Sequence, residues 1–146
     1  MAHAEHTTTI ARAPGDVFAF LANAENDPRW RQGVLEMTRV SGEGVGARYR
    51  QRLKGPFGRP TPADIEITDL RPDELIAFRG VAGPVRPEGR YELSPANGGG
   101  TRLRFRLDAE LTGARRLMAP MVQKAMDGEV AAIDELKRVL EADAGA

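Results

Sequence analysis

The sequence has 146 residues, no cysteine, and 21 basic against 21 acidic side chains, so its formal net charge is zero. Disulfides, thiolate metal sites and cysteine nucleophiles are thereby excluded, and the surplus of positive charge that marks binders of nucleic acid or anionic membranes is missing. At 41% hydrophobic and 29% charged residues, the composition is that of an ordinary soluble chain, long enough for one core and one domain over residues 1–146.

The first strand is expected at His6 to Arg12, a short run rich in β-branched residues. Pro14 suits the first turn of a helix, and Val17, Phe18, Phe20 and Leu21 give the following segment, to Ala24, an apolar stripe. Asn26-Asp27-Pro28 reads as the cap and first turn of a second short helix carrying Trp30.

From Val34 the period changes to two. Arg48 to Lys54 places Tyr49, Gln51 and Leu53 on one face and Arg48, Arg50 and Arg52 on the other. Asp64 to Leu70, Glu74 to Gly80 and Gly89 to Ser94 carry Ile65 and Ile67, Ile76 and Phe78, and Tyr91 and Leu93. Thr101 to Leu111 alternates most cleanly, with Leu103, Phe105 and Leu107 opposed to Arg102, Arg104 and Arg106. Turn-forming segments such as Ser41 to Gly46, Gly55 to Pro62 and Ala82 to Glu88 separate these runs. Strands with one apolar and one charged face predict an antiparallel sheet that is wet on one side. A helix over roughly Ala114 to Ala142 follows, with Met118, Met121, Val122, Ala125, Met126, Val130, Ile133, Leu136 and Leu140 at three- and four-residue steps. The apolar face of the sheet is the only partner large enough to bury that stripe. The expected class is α+β, in the order β, α, α, six β, α.

No run approaches the ~20 apolar residues of a membrane helix, and MAHAEHTTTI has no apolar signal-peptide core; no membrane insertion and a cytoplasmic location are expected.

Three local motifs carry a resemblance. They are Ile10 to Phe18 (IARAPGDVF), Asn26-Asp27-Pro28-Arg29-Trp30 with Gly44-Val-Gly-Ala-Arg-Tyr49 downstream, and Glu135-Leu-Lys-Arg-Val-Leu-Glu141. With the element order, they make the chain resemble the START-like (SRPBCC) superfamily, most closely its polyketide cyclase/dehydrase-like branch, over nearly the whole length. The resemblance implies the helix-grip fold: a curved seven-stranded antiparallel sheet around a long C-terminal helix. It also implies a cavity between the two, its mouth framed by the loops at Gly55–Pro62 and Ala82–Glu88, with Phe57, Pro84 and Val85 as apolar lips. The superfamily holds carriers, receptors and cyclases, so the resemblance specifies fold more than activity.

Residues expected to contact a ligand in that cavity are Trp30, Tyr49, Gln51, Leu53, Phe57, Ile67, Phe78, Tyr91, Leu93, Phe105, Leu107, Met118, Met121, Val122 and Met126. Gln51 lies on an apolar face, where an amide must find a partner, a water or a ligand. Tyr91 combines an aromatic wall with a hydroxyl tip. Arg39 faces inward only if the strand register buries Leu35 and Met37. Trp30 either packs the short helices against the sheet edge or lines the pocket, and the Met stripe serves either core or an adaptable pocket. Arg115 and Arg116 are either solvated or partnered by Glu110, or they meet an anionic ligand group at the mouth.

Catalytic hardware is thin. His3 and His6, the only histidines, fall at the N-terminal edge, where chain ends are usually loose. No metal cluster or nucleotide fingerprint occurs, and Gly42 to Gly46 opens no helix that would bind phosphate. The arginine-bearing strands lack interleaved aromatics and share their outer face with Asp64, Glu66, Glu92, Asp108 and Glu110, so cross-strand pairing accounts for them. No cofactor, metal or nucleic-acid partner is expected, and the state is a monomer or homodimer. The leading expectation is binding of a hydrophobic, lipid- or polyketide-like small molecule with an acidic or hydroxylated end. The first alternative is a polyketide cyclase/aromatase-type enzyme with Gln51, Tyr91 or Arg39 as its polar or proton-transfer groups; the second is an interaction protein with a filled core.

Overall fold

Alternating apolar and charged residues become strands whose inner faces share one core. The computed structural model describes residues 2–55 and 58–144. β1 (Ala2–Ile10) leads to α1 (Pro14–Ala22) and a 3-10 helix (Ala24–Arg29). β2 (Val34–Ser41), β3 (Arg48–Lys54), β4 (Pro60–Pro62), β5 (Ile65–Arg71), β6 (Leu75–Gly80), β7 (Glu88–Pro95) and β8 (Thr101–Ala109) follow. A 3-10 helix (Gly113–Met118) then enters α2 (Ala119–Ala131) and α3 (Ile133–Ala144).

The antiparallel sheet runs β1-β8-β7-β6-β5-β3-β2, a path of the expected seven strands. An eighth, three-residue strand, β4, adds to the expected set; it pairs with the end of β3, while β5 pairs with the start of β3. Register shifts in β2 (Val34/Glu36 and Arg39/Ser41) and in β5 (Ile67/Asp69) bend these strands, since an extra residue on one strand increases local twist.

Two local expectations are corrected. The N-terminus is not loose, because β1 pairs with β8 from Ala2↔Ala109 to Ile10↔Thr101. His3 Nδ1 lies 2.6 Å from Asp108 Oδ1, and Nε2 lies 2.9 Å from Glu5 Oε2. These contacts, Asp108 first, raise the pKa of His3. The C-terminal helix is not continuous either. Residues 113–118 wind as a 3-10 helix, Pro120 stands in the first turn of α2, and Ala132, with ψ −15°, separates α2 from α3. Proline lacks the N–H that a helix interior needs, so it sets where the α-helix starts.

The buried stripe Val122, Met126, Val130, Ile133, Leu136 and Leu140 packs with Ile10, Val17, Leu103 and Phe105 of α1 and the sheet. Polar ties fix α3 to the end of β1 and the two residues after it: Lys137 Nζ donates to Thr9 O (2.8 Å), the Ala11 N–H to Glu141 Oε2 (2.8 Å), and Arg12 Nη1 to Leu140 O (2.8 Å). On the outer face Arg79 meets Glu66 at 2.7 Å and Arg104 meets Glu5 at 2.9 Å. Arg48 also reaches Glu66, Arg52 reaches Glu36, and Arg106 lies 3.8 Å from Glu5. Among the described residues no helix is long and apolar enough to cross a membrane.

Candidate functional site

Phe78, Tyr91 and Phe105 stand side by side on β6, β7 and β8. Tyr91 stacks on Phe105 at 4.3 Å between centroids, and Phe78 lies 5.9 Å from Tyr91. Such pairs contribute about 0.5–1.5 kcal/mol each beyond burial. Phe78 fits because Gly89 lies directly opposite it; a Cβ on Gly89 would come within 2.3 Å of Phe78 Cζ. We expect Gly89→Ala to swing the Phe78 ring inward and to cost about 1–3 kcal/mol from overpacking, read by urea denaturation. A cost within experimental error would show that the ring has room to yield.

Between this aromatic wall and α2 the side chains do not meet, which leaves a cavity of about 200 Å3. Its sheet side is Leu53, Ile65, Ile67, Ile76, Phe78, Tyr91, Phe105 and Leu107; its helix side is Val122, Ala125 and Met126; Gly80, Val85 and Pro87 line it at the β6–β7 loop. The volume exceeds the ~150 Å3 that admits benzene and falls below the ~300–1,000 Å3 of drug-sized sites, so it suits a compact guest.

Polar groups gather in the same wall. Asp27 in the 3-10 helix, Arg31 just after it, Gln51 on β3 and Glu129 on α2 all line the cavity. Arg31 Nη1 donates to Asp27 Oδ2 (2.9 Å) and to Gln51 Oε1 (2.8 Å), and Arg31 Nε donates to Glu129 Oε2 (2.8 Å). Gln51 Nε2 donates onward to Ala63 O (2.8 Å). Asp27, Arg31 and Gln51 are buried, at 5%, 9% and 5% exposure. Burial is the largest influence on Asp27 and outweighs the attraction of Arg31, pushing its carboxyl up to about 6. Arg31 stays charged, because Glu129 and Asp27 more than offset its desolvation. Tyr91, 4% exposed, has its phenol pushed well up by burial and by the nearby Asp27 and Glu129 charges, so it remains a neutral O–H. That hydroxyl has no hydrogen-bond partner among the described residues. The arrangement offers an apolar chamber, a fixed guanidinium between two carboxylates, and a carboxyl group that exchanges its proton near neutrality. Among the described residues no three His, Asp or Glu side chains are placed to hold a metal ion.

Residues 1–141 match the family model described as polyketide cyclase/dehydrase and lipid transport. The chain belongs to this family. A START superfamily protein from Mycobacterium smegmatis is 17% identical and shares the fold, with a TM-score of 0.74 over 98% of this chain and 97% of that one. TTHA0849 from Thermus thermophilus is 25% identical, with a TM-score of 0.78 over 96% of this chain and 98% of that one. The ZhuI aromatase/cyclase from Streptomyces sp. R1128 is 20% identical, with a TM-score of 0.71 over 94% of each chain. No curated protein matches the sequence.

The cavity between sheet and α2 brings together Gln51, Leu53, Ile67, Phe78, Tyr91, Phe105, Leu107, Val122 and Met126 of the expected contacts. Trp30 does not line it. The indole is 1% exposed and packs edge-on against Tyr91 at 6.3 Å, supporting the wall rather than forming it. Tyr49 is buried with its hydroxyl beside the Ala24 backbone, and Leu93 is buried in the core; neither lines the cavity. Met118 is half-buried against the core, and Met121 is 55% exposed. Met121 precedes the buried Val122, and one residue turns the helix by about 100°. Arg39 is exposed and lies 3.9 Å from Glu43. The β2 bulges break strict alternation, burying Val34 and Met37 while Leu35 is half exposed. Phe57 lies outside the described residues.

Asp27, Arg31 and Glu129 are the polar residues that sequence reasoning missed. Asp27 reads as a helix cap, yet Asn23 caps the 3-10 helix by accepting from the Glu25 N–H (3.2 Å). Two signals were available: the four-residue spacing of Asp27 and Arg31, and the place of Glu129 three residues after Met126 and seven after Val122, on the apolar stripe.

Proposed function

We propose that this family member binds a compact hydrophobic small molecule in the cavity between sheet and α2. The observation that carries the reading is the chamber itself, an apolar volume of about 200 Å3 with one cluster of buried polar groups in its wall. A close-packed interior leaves few voids larger than a water, so a space of this size favours an occupant over the filled-core alternative. Native mass spectrometry of the purified protein should show a reproducible adduct of small mass. Val122→Phe, which adds a ring from α2 into the space, should abolish the adduct and weaken added ligand at least about tenfold while changing stability by less than about 1.5 kcal/mol. An adduct that persists at full occupancy in this variant would place the ligand elsewhere.

A second reading is favoured by Asp27. A carboxyl group held near 6 beside an apolar chamber suits proton transfer at neutral pH, and the fold is shared with the ZhuI aromatase/cyclase. In this reading the cavity folds a poly-β-ketone or related intermediate and Asp27 moves the proton, in place of Gln51 or Arg39. Asp27→Asn should then retain binding and lose turnover. Turnover that survives this substitution would remove the reading.

A further inference from the structure

The unused hydrogen-bonding capacity of the cavity's polar residues specifies what its guest carries. On the acceptor side, Asp27 Oδ1 and Glu129 Oε1 receive no hydrogen bond among the described residues, because Arg31 engages the other oxygen of each carboxylate. On the donor side, the Tyr91 hydroxyl is unpartnered although the residue is 4% exposed and lines the chamber, and Arg31 Nη2 makes no bond among the described residues. Gln51 has spent both ends of its amide, on Arg31 and on Ala63. A hydroxyl group both donates and accepts, so it satisfies the two sides at once. A carboxylate only accepts, and an ammonium only donates.

Charge decides further. One guanidinium already serves two carboxylates, so the ionised cluster holds one negative charge in excess. A ligand anion would add a second negative charge beside the buried Asp27, where repulsion is strong. The stacked Phe78, Tyr91 and Phe105 present aromatic surface beside the polar groups, and the volume suits one or two rings.

We propose that the cavity selects a neutral, hydroxyl-bearing aromatic molecule of one or two rings over its anionic and its purely hydrocarbon analogues. The proposal rests on the cavity being a ligand site, and the test separates the two. Isothermal titration calorimetry near pH 7 would compare 2-naphthol, naphthalene and 2-naphthoate on the unmodified protein. We expect 2-naphthol to bind at least about tenfold tighter than either of the others. Tyr91→Phe should narrow the gap between naphthol and naphthalene to less than about threefold. Equal affinity for naphthol and naphthalene, tightest binding of naphthoate, or a preference unchanged in Tyr91→Phe would each overturn the hydroxyl selection and leave the cavity as a general apolar site. Absence of binding by all three would overturn the ligand-site reading and this proposal together. The ligand series on the unmodified protein decides the matter even if the Tyr91 variant fails to fold.

Discussion

Replacing Arg31 with methionine is expected to destabilise the protein by about 3–5 kcal/mol, the cost of breaking a buried ion pair by removing one partner. The guanidinium donates to Asp27, Gln51 and Glu129 at 2.8–2.9 Å, so its loss leaves the buried Asp27 carboxylate and Gln51 amide oxygen, and the partly buried Glu129 carboxylate, without their donor. Methionine fills much of the volume, which leaves electrostatics as the main change. The deficit should narrow as pH falls from about 7 to about 4, because the stranded carboxylates then escape their desolvation cost by taking up protons. Urea denaturation at several pH values reads both effects. A loss under about 1 kcal/mol at neutral pH would mean that water, not Arg31, compensates the two acids.

Why this cluster is hidden in the sequence, when the fold around it is legible, follows from what each kind of pattern reports. Alternation along β8 identifies Leu103, Phe105 and Leu107 as inward because every second residue of a paired strand shares a face. The same logic locates Gln51, Ile67, Phe78 and Tyr91, and these line the chamber. Periodicity reports which face is buried but not where facing side chains fail to touch. Leu93 and Tyr49 therefore look equivalent to Tyr91 and Leu53, although they are packed into the core. Asp27 and Arg31 stand in and just after an irregular 3-10 segment, to which neither the 2.0 nor the 3.6 period applies. Arg39 fails for another reason: it is in register with Met37, with no bulge between them, yet its side chain is exposed beside Glu43 instead of reaching the cavity. Met121 is misplaced when helical steps are counted from Met118, which lies in a 3-10 turn of different pitch.

The pH dependence of stability should distinguish the native protein from Asp27→Asn by on the order of 3 kcal/mol. Asp27 titrates near 3.8 when unfolded and is pushed up to about 6 by burial in the native state. The folded protein therefore holds this proton more tightly than the unfolded chain does. The resulting stabilisation is present in full below pH of about 3.8, and it disappears as pH rises through about 6. Asparagine stays neutral, and its side-chain oxygen still accepts from Arg31, so the variant lacks this slope. Among the groups facing Asp27, Arg31 opposes the shift and Glu129 adds to it, while Tyr91 and Tyr49 remain neutral with their pKa values raised. Glu5, Glu66, Glu135 and Glu141 have lowered pKa values through their basic partners and contribute with the opposite sign. They are common to both proteins and cancel in the difference. Going from pH 4 to pH 8, Asp27→Asn should thus gain steadily on the native protein, most steeply at about pH 5, midway between the unfolded and folded values, and level off above about pH 7. Parallel stability profiles would show that Asp27 is ionised throughout, and with that its use as a proton donor near neutrality would be lost.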